Sequence, residues 1–312
     1  MTGSEPTPSR TLSARTLGAL AVLGVVLAFS LSSTLAKRAE TPGVLIAFWR
    51  MLGMAVIWNV YLLATGRHVT WANVRQAFVP GVFFGLNLAV FFSGVTHNSV
   101  ANAALIGSLA PFLIVPLGAV IFHEFFDSRA LVFAVIAFGG AAMVLLNAPP
   151  FGDASLVGNL LGLLATLLWA GYVVSTRYFR RQLDVATFMS TITPIAVVVV
   201  LPLALLEGDV FGLTRTGWTY TLILTLLTGV VAHGLFVYAQ RTIQIGTIGI
   251  AQVVQPALAV VWAFMLLGEQ VAPPQIWGIA IVIVGLLAFL LINERDQRAR
   301  LAPLQPVISR SL

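Results

Sequence analysis

The sequence predicts an all-α polytopic membrane protein of ten transmembrane helices arranged as two inverted five-helix repeats. Three observations carry this expectation. Of 312 residues, 59% are hydrophobic and only 9% are charged, against about 45–50% and about 25% in soluble domains. A mean hydropathy of +0.97 over 33.3 kDa leaves too little polar surface to clothe a globule in water, so lipid must be the solvent for most of the chain. The apolar residues fall into ten runs, and the residues that punctuate the fourth and fifth recur in the ninth and tenth.

Residues 1–16, polar and interrupted by Pro6 and Pro8, read as an N-terminal tail. The first span, at 17–36, follows Arg10 and Arg15 and ends in Thr34, Leu35 and Ala36, an outline shared with secretory signals. Its apolar run of about 20 residues exceeds the roughly 7–15 of a signal core, so it is read as a retained helix. Spans at 44–64, 78–96, 98–121 and 129–147 complete a first repeat of 17–147. The third and fourth runs nearly touch at His97 and Asn98, and they are separated because about 44 residues far exceeds one crossing. Spans at 156–176, 185–206, 218–240, 245–267 and 275–292 form a second repeat of 156–292, and residues 293–312, with Pro303 and Pro306, form a C-terminal tail.

Basic residues test this count. Ten spans put 13 of the 17 Lys and Arg on the side of both termini, among them Arg67, Arg75, Arg129, Arg177, Arg180, Arg181 and Arg241. Only Lys37, Arg38 and Arg215 fall on the other side, and Arg50 lies inside span 2. A miscounted span would scramble this bias, which places both termini in the cytoplasm. The net charge of +6 is read as this asymmetry and not as a nucleic-acid surface. No cysteine is present, which excludes disulfides, thiolate metal sites and cysteine nucleophiles.

A displacement of 145 residues superposes Pro111 on Pro256, Glu124 on Glu269 and Gly140 on Gly285. A displacement of 140 superposes Gly18 on Gly158, Phe29 on Trp169, Lys37 on Arg177 and Phe48 on Phe188, the difference being absorbed near Asp209 to Gly217. Five spans per repeat is an odd number, so the second repeat enters the membrane in the opposite sense to the first. Inverted repeats around a midplane site are the architecture of secondary transporters working by alternating access.

Five plus five spans, a Pro in spans 4 and 9 followed by a Glu at the helix end (Leu267-Gly268-Glu269 in the second half), and Gly-rich fifth and tenth spans resemble the drug/metabolite transporter superfamily, EamA type. The resemblance covers about residues 15–293, with His123 standing where the second half has Gly268. Within the superfamily the chain is most similar to bacterial exporters of aromatic amino acids, the YddG type. The resemblance implies a bacterial inner-membrane exporter with a central cavity lined by spans 1, 3, 4, 6, 8 and 9.

Polar and aromatic residues inside spans are the candidates for that cavity, because each is costly in hydrocarbon. Phe83, Asn87 and Phe91 recur every four residues on one face of span 3, either as two rings and an amide for a solute or as a packing stripe whose Asn87 bonds a neighbouring helix. Asn102 and Ser108 precede Pro111 in span 4, and Gln252 and Gln255 abut Pro256 in span 9. A proline leaves a carbonyl free one turn back, so Pro111 and Pro256 are sites for helix bending or gating, and the neighbouring polar side chains serve either a ligand or the broken ladder. Trp169 and Tyr172 in span 6 offer a flat surface with donors, well inside the interfacial belt. His233 in span 8 suits substrate binding, proton transfer or a structural hydrogen bond. Arg50 either attracts a carboxylate or snorkels to the interface.

The remaining inventory excludes mechanisms. All eleven acidic residues fall in loops, termini or span ends, so only His233 stands as an evident proton carrier, and facilitated diffusion remains open. There is no Walker sequence, no paired carboxylates, no nucleophile with a base, and no His cluster at ligand spacing. The expectation is therefore a non-enzymatic transporter without cofactor or metal, a monomer in the lipid bilayer, exporting a small amphipathic metabolite. Aromatic or other large apolar amino acids fit best, with drug or other metabolite efflux, or a channel, as the alternatives.

Overall fold

The computed structural model describes residues 13–97, 106–147, 155–180, 183–267 and 271–301, and its regular structure is helical throughout. The first repeat supplies α1 (Ala14–Arg38), α2 (Gly43–Ala64), α3 (Trp71–Thr96), α4 (Ala110–Phe122) and α5 (Ser128–Leu146). The second supplies α6 (Leu156–Phe179), α7 (Val185–Leu206), α8 (Arg215–Ala239), α9 (residues 245–267) and α10 (Pro273–Leu301). Among the described residues nine helices are long and apolar enough to cross a bilayer, and α4 is shorter. The protein is a multi-pass membrane protein, and helices satisfy their own backbone polar groups where lipid offers no partner.

Short polar residues start six of these helices. Ser13, Thr70, Asp127, Ser155, Asp184 and Thr214 each accept a first-turn N–H. These caps correct two expected boundaries. α3 begins at Trp71 and not at 78, because Thr70 and Asn73 cap each other reciprocally ahead of the apolar run. α8 begins at Arg215 and not at 218, because Thr214 caps Gly217. α10 also runs beyond 292, to Leu301.

The span expected at 98–121 is interrupted. Ser108 and Leu109 form a turn, and α4 starts at Ala110, with residues 98–105 lying outside the described part. Pro111 cannot donate to the carbonyl of Gly107 and is favoured at a helix start, which is why the ladder restarts there. Its repeat mate Pro256 acts similarly: Gln252 to Val254 tighten into a 3-10 turn one turn ahead of it. Two further irregularities matter below. α1 is interrupted by a turn position at Leu31, and α8 widens into a π-helix from Leu224 to Ala232, just before His233.

The packing repeats with the sequence. α3 lies on α6 as α1 lies on α8; α3 on α7 as α2 on α8; α4 on α6 as α9 on α1. The pairs α2–α7, α4–α9 and α5–α10 each join equivalent helices of the two repeats. α5 and α10 meet backbone to backbone, since a Cβ on Gly140 would come 2.8 Å from the Gly278 carbonyl oxygen. Leucine, valine and isoleucine side chains such as Val120, Val132, Leu167, Val198 and Val284 are exposed around the outside, where lipid covers them.

Candidate solute cavity and its closed end

A cavity of about 170 Å³ lies where the two repeats meet, and every helix except α5, α7 and α10 contributes to its lining. α3 contributes Asn87 and Phe91, α6 Trp169, α8 His233, α9 Gln252, Gln255 and Pro256, α4 Pro111, and the turn before α4 Ser108. Gly107 and Gln252, whose carbonyls lose their i+4 donor to Pro111 and Pro256, also line it, the Gln252 carbonyl accepting from the Gln255 N–H instead. The lining includes the late residues Ser32 and Ser33 of α1, Gly94 and Val95 of α3, and the early Gly162 of α6. The cavity therefore extends toward the side opposite the chain termini.

Individual geometries show how the walls are held. Asn87 donates from Nδ2 to the Ala165 carbonyl of α6 at 2.8 Å, so it both joins two helices and faces the cavity. Gln255 Nε2 donates to Gln252 Oε1 at 3.4 Å, a long contact across one turn. Trp169 and Phe29 meet edge to face with centroids 6.0 Å apart, and Phe29 lies 4.8 Å from the His233 ring. Trp262 Nε1 donates to Ser30 Oγ at 2.7 Å and ties α9 to α1.

Arg50 is 1% exposed and lines the cavity. One of its Nη atoms is 3.4 Å from His233 Nδ1, but that nitrogen is already 2.6 Å from the Thr228 carbonyl oxygen. Only a protonated Nδ1 can approach a carbonyl so closely, and a protonated Nδ1 cannot accept from a guanidinium. The imidazole is thus a donor to the π-helical turn, and the Arg50 contact is close packing of two donors. Arg50 Nε has no hydrogen-bond partner among the described residues, and the guanidinium lies 5.4 Å from the centroid of Phe92. Among the described residues no acidic side chain lines the cavity.

A family model for the EamA-like transporter family matches residues 16–146 and 156–291. The chain belongs to the EamA-like transporter family. A riboflavin transporter of Brucella anthropi is 25% identical over 163 residues, 51% of this chain and 56% of that protein. The pseudopaline exporter CntI of Pseudomonas aeruginosa is 24% identical over 178 residues, 56% of this chain and 62% of that protein. The chain thus spans little more than half the length of these two relatives. An uncharacterized transporter, YxxF of Bacillus subtilis, is 24% identical over 277 residues, 84% of this chain and 85% of that protein. A crystal structure 18% identical to the chain has the same fold, with a TM-score of 0.74, covering 92% of this chain and 100% of the other.

In this EamA-like transporter the expected candidates separate into two groups. Asn87, Phe91, Trp169, His233, Gln252, Gln255, Pro111 and Pro256 line the cavity, whereas Phe83 and Tyr172 do not; Asn102 lies outside the described residues. Steps of four residues turn a helical stripe by about 40° each, so Phe83 has rotated away from Phe91 and packs on Gly171 of α6. Tyr172 is fully buried between Phe84 and Phe236. Phe29 was not expected in the lining, although its superposition on Trp169 in the repeat is a signal that points to it. Arg50, expected either to attract a carboxylate or to snorkel, is buried at the cavity and does not snorkel.

The terminal-side end is closed. Glu124, in the turn after α4 and only 6% exposed, accepts from the backbone N–H groups of Ile245 at 2.8 Å and Gly246 at 3.0 Å, the first residues of α9. Two N–H groups that a helix start leaves without partners are thereby satisfied. Gly118 leaves the room for this, since a Cβ there would come 2.7 Å from Glu124 Oε2. Burial pushes the Glu124 carboxyl above the usual carboxylate range, against the pull of the two backbone donors and of Arg177. Arg177 also donates to the Ile243 carbonyl at 3.3 Å, adding a second tie across the same end.

Proposed function

We propose that the protein is a secondary transporter that exports small amphipathic metabolites, with aromatic or other large apolar amino acids as the best-fitting solutes. It works by alternating access of the two inverted repeats, in a bacterial inner membrane with both termini in the cytoplasm. The observation that carries this reading is a cavity at the junction of the repeats that combines rings, amides and one guanidinium, extends toward one side, and is tied shut at the other. Phe29, Phe91 and Trp169 suit a flat apolar side chain; Arg50 suits a carboxylate; and Asn87, Gln252 and Gln255 carry oxygens that accept from an ammonium. The thirteen-to-three distribution of basic residues supports cytoplasmic termini. The lack of an acidic side chain among the described residues of the cavity lining disfavours cationic drugs.

The test is uptake of radiolabelled amino acids into liposomes containing the purified protein, with and without an imposed proton gradient. Saturable flux of tryptophan, phenylalanine or leucine is expected. Ion current without saturable flux would replace this reading by a channel. Riboflavin, the solute in the name of one relative, belongs in the same panel, and flux of riboflavin alone would move the substrate class to larger planar metabolites.

A further inference from the structure

Below the cavity the facing sides of α6 and α8 continue toward the terminal side. α6 presents Trp169, Tyr172, Thr176 and Arg180 at intervals of three and four residues, and α8 with its cap presents His233, Phe236 and Gln240, so each set forms one stripe. The stripes face each other, with the Trp169 and Phe236 rings 5.0 Å apart and the Tyr172 and Phe236 rings 6.0 Å apart at 21°. Tyr172 also stacks on Phe84 at 4.8 Å and 20°. Tyr172 is thus stacked, within about 20° of parallel, on both Phe84 and Phe236, and all three rings are fully buried.

The next turns of the same two stripes carry buried polar side chains. Thr176, Gln240 and Arg180 are 0%, 2% and 5% exposed. Both side-chain polar atoms of Gln240, and Nε and one Nη of Arg180, have no hydrogen-bond partner among the described residues. Polar clusters that serve only the fold normally satisfy one another, and unmade hydrogen bonds in a buried site are costly. Arg177 and Arg241 lie near enough to repel the Arg180 guanidinium and Asp184 near enough to attract it, but Asp184 is engaged with Arg67 at 3.0 Å and caps α7.

The repeat gives an independent observation. The displacements that relate the halves carry Tyr172 onto Ser32, and Ala239 and Gln240 onto Gly94 and Val95. Ser32, Gly94 and Val95 line the far end of the cavity. Down to Tyr172 on α6 and Gln240 on α8 the closed stripe is thus the two-fold equivalent of the lined stripe, whereas Ala36 and Glu40, the equivalents of Thr176 and Arg180, lie beyond the lining.

We propose that Thr176, Arg180 and Gln240 form a second solute subsite on the terminal side, which takes the solute's anionic group, a carboxylate for an amino acid, before it reaches Arg50, with the Phe84, Tyr172 and Phe236 rings as the partition. This rests on the transport reading above but not on the identity of the solute. When α6 and α8 part, the orphaned groups meet water and solute; when they close, the rings restack.

The chain has no cysteine, so Thr176→Cys and Gln240→Cys each install a single thiol without further changes. In vesicles with the terminal side outward, each is reacted with an anionic sulfonatoethyl and a cationic trimethylammonioethyl methanethiosulfonate. Rates are normalised to the exposed control Arg75→Cys. Both thiols are expected to react, the sulfonate reagent about tenfold faster than the cationic one. Adding Arg180→Gln should remove that preference and Arg180→Lys should retain it. Unreactive thiols in folded, monodisperse protein would show a permanently closed structural cluster. Reaction without charge preference, or with a preference that survives Arg180→Gln, would equally overturn the subsite. A failure of the amino-acid panel would strike the substrate reading alone, since these labelling rates require no solute.

Discussion

Replacing Glu124 by alanine should unseal the terminal-side end of the path. The wild-type carboxylate satisfies the N–H groups of Ile245 and Gly246, both in buried bonds. Its removal orphans two donors in the closed form, at about 1–3 kcal/mol each, whereas in a separated form both meet water. Water entering the vacated space recovers part of this, leaving about 2–4 kcal/mol of bias, or roughly 30-fold to several hundredfold in the ratio of open to closed. The assay is double electron–electron resonance between spin labels on Ser128→Cys and Arg241→Cys, both exposed, beside the two elements that Glu124 joins. A longer-distance population should grow strongly in Glu124→Ala and moderately in Glu124→Gln, which keeps one acceptor oxygen. The pH dependence has a definite sign. Because burial raises the carboxyl's pKa in the closed form, that form binds the proton more tightly than a form with Glu124 in water. Acidification through the raised value toward about 4.3 should favour closure, with no effect at higher pH, and Glu124→Gln should abolish the trend. An unchanged distance distribution in folded Glu124→Ala would refute the reasoning.

Arg50→Gln should raise the KM for a carboxylate-bearing solute by about 10- to 100-fold, the value of one charge-assisted contact. Flux of the matching amine without a carboxylate should change little, and proteoliposome uptake of the pair measures both. Gly140→Ala should reduce folded yield or thermal stability by about 1–3 kcal/mol, because its Cβ would press on the Gly278 carbonyl. The neighbouring Gly139→Ala, with nothing within 4 Å, should be nearly neutral in the same unfolding assay. His123, exposed and left-handed at φ 54, should be improved by glycine, and His123→Gly is expected to raise stability by about 1 kcal/mol in thermal unfolding in detergent.

The helices were legible in the sequence because each depends on local chemistry. An apolar run of bilayer length must become a helix in lipid, and Pro111 and Pro256 interrupt the ladder wherever they are placed; the Thr70 and Thr214 caps that start α3 and α8 early are equally local but were not read from the sequence. The repeat was legible for the same reason, since its punctuation by Pro, Glu and Gly does not depend on what packs against it. Asn87, Trp169, His233, Gln252 and Gln255 stood out because polar or amphipathic groups are rare in hydrocarbon.

Only the tertiary structure decided which way such residues face. Arg50 can reach the interface or the interior from the same backbone position; α8 packing across α2, with Gly229 against Met54 and Arg50, buries it at the cavity. Trp169 and Tyr172 are three residues apart, and the position of Phe84 on α3 makes the first a wall and the second part of a sealed ring stack. Glu124 meets its partners 121 and 122 residues away. Composition and spacing dictate elements because those are set by each residue's own solvent and neighbours along the chain. The cavity and its seal are set by contacts between distant helices, which no local pattern encodes.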